Sequence, residues 1–146
     1  MGNKKLIIGT LFLLMFTLTH GPSLATSKKP TYTIKTNLAD MYVGSSTVAT
    51  LRIIPEKGFK FNKKYPSKFR VVNTQQVKCD KHTLTKAAGD VKTSGRIGLV
   101  SIPLDAIATG TSNVAITGTF NICNSSMCYI LRGETLSLTV VVKNEN

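Results

Sequence analysis

The chain has 146 residues, with 19 Lys and Arg against 7 Asp and Glu, a formal net charge of +12, three cysteines and no Trp. The length fits one ordinary domain. Past the N-terminal segment the only histidine is His82, and no Ser elbow, paired acids or phosphate-cradling Gly loop accompanies the seven carboxylates, which excludes a conventional hydrolase site.

The first element is an export signal. Lys4 and Lys5 make a short positive region, and an apolar run follows from Leu6 to Leu18, broken only by Gly9, Thr10 and Thr17. Ser23-Leu24-Ala25 is a small-x-small cleavage site, with Pro22 ending any helix before it. The run is too short to span a bilayer comfortably. Residues 1–25 are therefore predicted to be a secretory signal peptide cleaved after Ala25, with an uncleaved anchor as the alternative. No Cys follows the run, which argues against a bacterial lipoprotein. The expected location is periplasmic or secreted, with no stable membrane insertion after cleavage.

Residues 26–31 read as a polar, Lys-bearing flexible leader, and residues 32–143 as the folded domain. Short strands separated by turn residues follow one another. Tyr32–Thr36 is the first. Thr47–Ile54 alternates, with Ala49, Leu51 and Ile53 on one face and Thr50 and Arg52 on the other, and Pro55 ends it. Phe69–Asn73 and Arg96–Leu104 come next, the second after a polar turn around Gly89 and Gly95. Asn113–Cys123 is the clearest strand, with Val114, Ile116, Gly118, Phe120 and Ile122 sharing a face. Thr135–Lys143 closes the domain with Leu136, Leu138, Val140 and Val142 inward. No segment carries a 3.6-residue apolar period, and Thr, Val and Ile abound, as strands prefer. Six or seven such strands predict an all-β, immunoglobulin-like β-sandwich forming a single domain.

The positive surplus can steer a protein to nucleic acid or anionic membrane, but export argues against nucleic acid. The densest stretch, Lys57 to Lys68, alternates with Phe59, Phe61, Tyr65 and Pro66 and reads as a solvated basic face. In a binding module, the edge from Phe59 to Phe69 is the expected interaction surface.

Cys79, Cys123 and Cys128 would meet an oxidising compartment, so a disulfide is expected and one thiol is left over. Cys123 and Cys128 bracket Asn124, Ser125, Ser126 and Met127, turn-forming residues between two strands, which places the cysteines opposite each other at the base of a hairpin loop. Facing positions there can satisfy disulfide geometry. Closing so short a loop stabilises by roughly 2 kcal/mol, against roughly 4 kcal/mol for a Cys79–Cys123 bridge. Cys123 falls on the face opposite Phe120 and Ile122, unless a bulge reverses the parity. Two readings stay open: an accessible, exchangeable bond and a structural staple for the hairpin.

Other constellations are weaker. Cys79 and His82 with Cys123 and Cys128 have ligand types that zinc accepts, and Cys123, Cys128 and Met127 suit copper(I). The oxidising location favours a disulfide over either, so no metal site and no cofactor are assigned. Lys78 and Lys81 flank Cys79 and would favour its thiolate; it is read as a free thiol or as one paired with another chain. Asn124-Ser125-Ser126 is also a glycosylation sequon, relevant only in a eukaryotic secretory pathway.

The stretch from Gly118 through Cys123 and Cys128 to Tyr129, followed by the alternating Thr135–Val140, resembles the end of a DsbD N-terminal domain, a periplasmic thiol–disulfide interchange domain of immunoglobulin-like fold. Pro55-Glu56-Lys57-Gly58-Phe59-Lys60-Phe61 is similar to the family's Gly-aromatic segment. The resemblance spans residues 32–142. It implies a redox shuttle in which Cys123 and Cys128 cycle between dithiol and disulfide, Cys128 bonds the partner, and Tyr129 flanks the pair. The implied partners are a membrane reductase and periplasmic thioredoxin-like proteins; no oligomeric state follows. The loop holds four residues between the cysteines where familiar members hold five. Leu84 to Gly95, where the family carries an aromatic cap, has no aromatic.

Overall fold

In the computed structural model of the chain, residues 28–145 are described. The predicted signal peptide, and the cleavage point after Ala25, lie outside them. Among the described residues there are eleven strands: β1 (Tyr32–Asn37), β2 (Met41–Tyr42), β3 (Ser46–Pro55), β4 (Lys60–Phe61), β5 (Lys68–Val71), β6 (Val77–Lys78), β7 (Thr83–Thr85), β8 (Val91–Ser94), β9 (Ile97–Ala106), β10 (Gly110–Cys123) and β11 (Cys128–Lys143). One sheet runs β1-β3-β9-β6 with β8 also on β9, and the other runs β2-β11-β10-β5-β7 with β4 also on β10. All pairings are antiparallel except the short contact of β2 with β11. The two sheets bury one common core, so the fold is an all-β, immunoglobulin-like sandwich.

Alternation explains the long strands. Ala49, Leu51 and Ile53 of β3, Val100, Ile102 and Leu104 of β9, and Val114, Ile116, Phe120 and Ile122 of β10 are all buried, because successive side chains of a strand point to opposite faces. The core centres on aromatics. Phe120 stacks on Phe61 at 5.7 Å and on Phe69 at 5.8 Å, and Tyr32 meets its edge at 5.3 Å. Gly98 makes room for this cluster: a Cβ there would sit 2.4 Å from the Phe61 ring. The aromatics expected on a binding edge are thus mostly core. Phe61 and Phe69 are buried, and Phe59 packs against the core while half-exposed.

Two expectations about segments change. The last strand begins at Cys128, not Thr135. Its register against β10 slips between Gly118 and Phe120: Gly118 faces Glu134, Phe120 faces Leu131, and so Arg132 and Gly133 oppose Thr119 alone. This is a β-bulge, with Gly133 at φ 65° supplying the left-handed turn. The extra residue switches the inward set from Tyr129 and Leu131 to Leu136, Leu138, Val140 and Val142, and that switch hid the first half of the strand. The leader, expected to be flexible, is tied down in its described part. Pro30 is buried. Lys29 Nζ bonds Glu134 Oε1, and the Thr31 carbonyl accepts from the Glu56 amide at 3.1 Å.

Candidate functional site

The β10–β11 hairpin carries the cysteine pair at its tip. Cys123 and Cys128 are register partners and form a disulfide with Cα atoms 4.0 Å apart. Just beyond them the Asn124 amide donates to the Met127 carbonyl at 2.9 Å. That bond makes the cysteines a non-hydrogen-bonded pair, the kind whose Cα atoms approach most closely. The loop is shaped by one side chain: Asn124 Oδ1 accepts from the amides of Ser126 and Met127, both at 2.8 Å, an Asx turn. Ser125 and Ser126 are exposed at the apex.

The two sulfurs are unequally placed. Because the bulge sits at Gly133, it resets β11 and leaves β10 in phase, so both cysteines lie on the outer face, opposite Phe120 and Ile122. Cys128 is exposed there. Cys123 is 5% exposed, covered although it points away from the core. Its cover comes from β4 and the residues after it. Lys60 pairs with Cys123 across the sheet. Asn62 donates from its backbone amide to the Asn121 carbonyl at 2.9 Å, and from Nδ2 to Asn121 Oδ1 at 3.1 Å. Asn121 is itself 3% exposed, and its Oδ1 lies 2.9 Å from Cys123 Sγ. A disulfide sulfur has no proton to donate, so in the bonded pair this is a contact and not a hydrogen bond.

Around the pair, Tyr129 is half-buried, faces inward and meets Phe59 edge-on at 6.0 Å, while its hydroxyl donates to Met127 Sδ at 2.8 Å. An open groove of about 470 Å³ adjoins the pair, lined by Lys60, Lys63, Lys64, Asn62 and both cysteines. The Thr93–Gly95 turn forms its far rim.

The remaining sequence-predicted residues are elsewhere. Cys79 is a free thiol buried at 1% exposure within the core, with its amide on Asn73 Oδ1 at 2.8 Å and its Sγ donating to the Lys81 carbonyl at 3.3 Å. Burial pushes its thiol up; a backbone hydrogen bond with Lys81 acts the other way, and the charges of Asp80, Asp105 and Asp90 add to the rise. The flanking lysines, expected to favour a thiolate, are outweighed, and Lys78 and Lys81 pair instead with Asp80 and Asp90. A thiol so enclosed is out of reach of a second chain. The zinc quartet is not assembled: among the described residues no group of three His, Cys, Asp or Glu side chains is placed to hold a metal. Sequence reasoning missed Asn121 and Asn62, whose partnership depends on β4 folding back onto β10.

No family model matches the chain, and no curated protein does. Among solved structures, a cohesin module from a family 33 glycoside hydrolase of Clostridium perfringens ATCC13124 is similar with a TM-score of 0.36 and 15% identity, over 80% of this chain and 98% of that one. So distant a likeness has no bearing on the cysteine pair.

Proposed function

We propose that this chain is an exported thiol–disulfide interchange module of the DsbD N-terminal type, cycling Cys123 and Cys128 in a periplasmic or extracellular compartment. The observation that carries the reading is the exposed Cys128 sulfur joined to a covered Cys123, at a hairpin tip that is shaped without the bond. Register pairing runs from Gly110 with Val142 to Ile122 with Tyr129, and the Asn124 side chain sets the turn. A six-residue loop closure adds only roughly 2 kcal/mol to that.

The exchange follows from the asymmetry. A partner thiolate attacks the exposed Cys128 Sγ, the Cys123–Cys128 bond breaks, and Cys123 leaves with the electron pair and takes up a proton. Asn121 Oδ1 then receives its S–H. A second thiolate of the partner attacks the partner's own sulfur in the mixed disulfide and releases Cys128. The partner dithiol ends as a disulfide and this chain as a dithiol; the reverse sequence hands the two electrons on. A membrane reductase and periplasmic thioredoxin-like proteins are the partners that the family resemblance supplies.

The cover over Cys123 favours a second reading, a non-catalytic immunoglobulin-like binding module whose disulfide only staples a hairpin. One titration separates the two. In Cys79→Ala protein, the reduction potential of the pair is measured against glutathione with mass-spectrometric readout. A value of roughly −270 to −120 mV, the span of known oxidoreductases, is expected. A value below roughly −300 mV, typical of structural bonds, sinks the shuttle.

A further inference from the structure

The groove beside the disulfide has a charge that the exchange chemistry does not use. Lys60, Lys63 and Lys64 are exposed along it. None of them belongs to an ion pair among the described residues, whose pairs are Lys29–Glu134, Lys78–Asp80, Lys81–Asp90 and Lys143–Asp40. No Asp or Glu lines the groove. Two further carboxylates are held elsewhere by hydroxyls, Asp105 by Ser46 and Glu56 by Thr31. A second hollow of about 320 Å³ also borders Cys123 and again includes Lys60, together with Phe59, Arg96 and Ser125. The Arg96 guanidinium donates to the carbonyls of Pro55 and Glu56, neutral acceptors that leave its charge in place.

Cys123 thus borders two hollows of one sign, and a concave surface of one sign focuses the field and concentrates ligands of the other. The lysine stems also bring the aliphatic chains that a peptide can pack on. We propose that this groove docks an acidic segment of a protein partner, with Asp or Glu side chains seated on Lys60, Lys63 and Lys64. The role for the partner's thiol rests on the redox reading above; the acidic segment rests on the charge alone. Complementary charge of this kind sets encounter rate and partner choice more than final affinity.

The test uses the full mature chain and two thiol-free peptides, hexaglutamate and hexaglutamine, titrated at low salt and followed by backbone amide shifts. Hexaglutamate is expected to be preferred over hexaglutamine by at least about tenfold, since charge complementarity sets partner choice. The shifts are expected at Lys60 to Lys64 and Asn124. The preference is expected to vanish in the triple variant Lys60→Gln, Lys63→Gln, Lys64→Gln, and to fade toward 1 M salt, where the screening length falls to about 3 Å. These lysines are exposed, so the triple variant is expected to fold. Equal binding of the two peptides, or a preference that survives the triple substitution, overturns the proposal. So does tighter binding to vesicles of anionic phospholipid than to the peptide, which would make a membrane the occupant. None of these readouts requires exchange. A pair that resists even dithiothreitol would end the redox reading and leave the docking result standing.

Discussion

Strand β10 ends in four consecutive buried residues, Phe120 to Cys123, and its two faces reach burial by different means. On the inner face, Phe120 and Ile122 are covered by packing: three aromatic rings close around Phe120. On the outer face, Asn121 and Cys123 are covered by a hydrogen-bonded lid, with Asn62 held to Asn121 through backbone and side chain. Packing on one side makes the strand a fixed platform. The polar lid on the other side shields one sulfur while its neighbour at Cys128 stays open to solvent. Enclosed apolar surface serves stability, and an enclosed polar patch beside an exposed cysteine is what the proposed exchange would use to tell the two sulfurs apart.

The comparison breaks most visibly at Phe120. Phe120→Ala removes the centre of the aromatic cluster and is expected to cost about 3–5 kcal/mol in urea unfolding. A loss below about 1 kcal/mol, the size of a surface substitution, would show that the inner face is not the platform. Asn121→Ala leaves the Asn62 amide group without its acceptor and is expected to cost about 1–3 kcal/mol. Its sharper readout is selectivity. In the reduced wild-type protein limiting iodoacetamide is expected to label Cys128 well before Cys123, and in Asn121→Ala the gap narrows, as peptide mapping would show. Labelling order unchanged by the substitution would remove Asn121 from the site.

The smallest effect lies at the tie between leader and bulge. Burial pushes the Glu134 carboxyl up, but hydrogen bonds from Lys29 and Tyr32, with the Lys29 charge, outweigh it and leave it below its ordinary value. Burial, the bond to Glu134 and its charge push the Tyr32 phenol up in turn. A carboxyl lowered by folding stabilises fully above the unfolded carboxylate range and loses that contribution as pH falls through the folded value. Glu134→Gln is therefore expected to lower the melting temperature at pH 7 by a shift worth under about 1 kcal/mol, since the Lys29 ammonium is largely solvated. As pH falls through the folded value of Glu134, the wild type and the variant are expected to converge. A gap that persists in acid would assign the difference to packing.

Much of the fold could be read in advance where alternation is unbroken. β3, β9 and β10 present runs such as Ala49-Leu51-Ile53 and Val114-Ile116, and their inward residues are the core. β2, β4 and β6 have two residues each, too few to show any period, and they form only because neighbouring strands supply their partners. The disulfide was within reach because turn formers separate its two halves at hairpin spacing. The rest of the site was not. Asn121 sits on an outward position, where a polar residue ordinarily meets water; only the return of β4 encloses it. Lys60, Lys63 and Lys64 belong to a stretch that looks like plain solvated charge, and their place beside Cys123 is a tertiary fact. Phe61 and Phe69 are the inward residues of β4 and β5, with Lys60 and Lys68 outward beside them and Lys63 and Lys64 in the turn between the two strands.

The bulge at Gly133 has a consequence for how the strand can vary. It acts as a phase shifter: odd-numbered side chains point inward on the tip side and even-numbered ones on the body side. Were the same residues laid in one regular strand with no bulge, a single phase would run the length of β11, and Cys128 would share the inward face with Leu136 and Leu138, sealed away from any visiting molecule. One glycine thus lets the lower half of the hairpin obey the demands of a hydrocarbon interior while its upper half obeys another rule, and the two halves are free to diverge in sequence without disturbing each other.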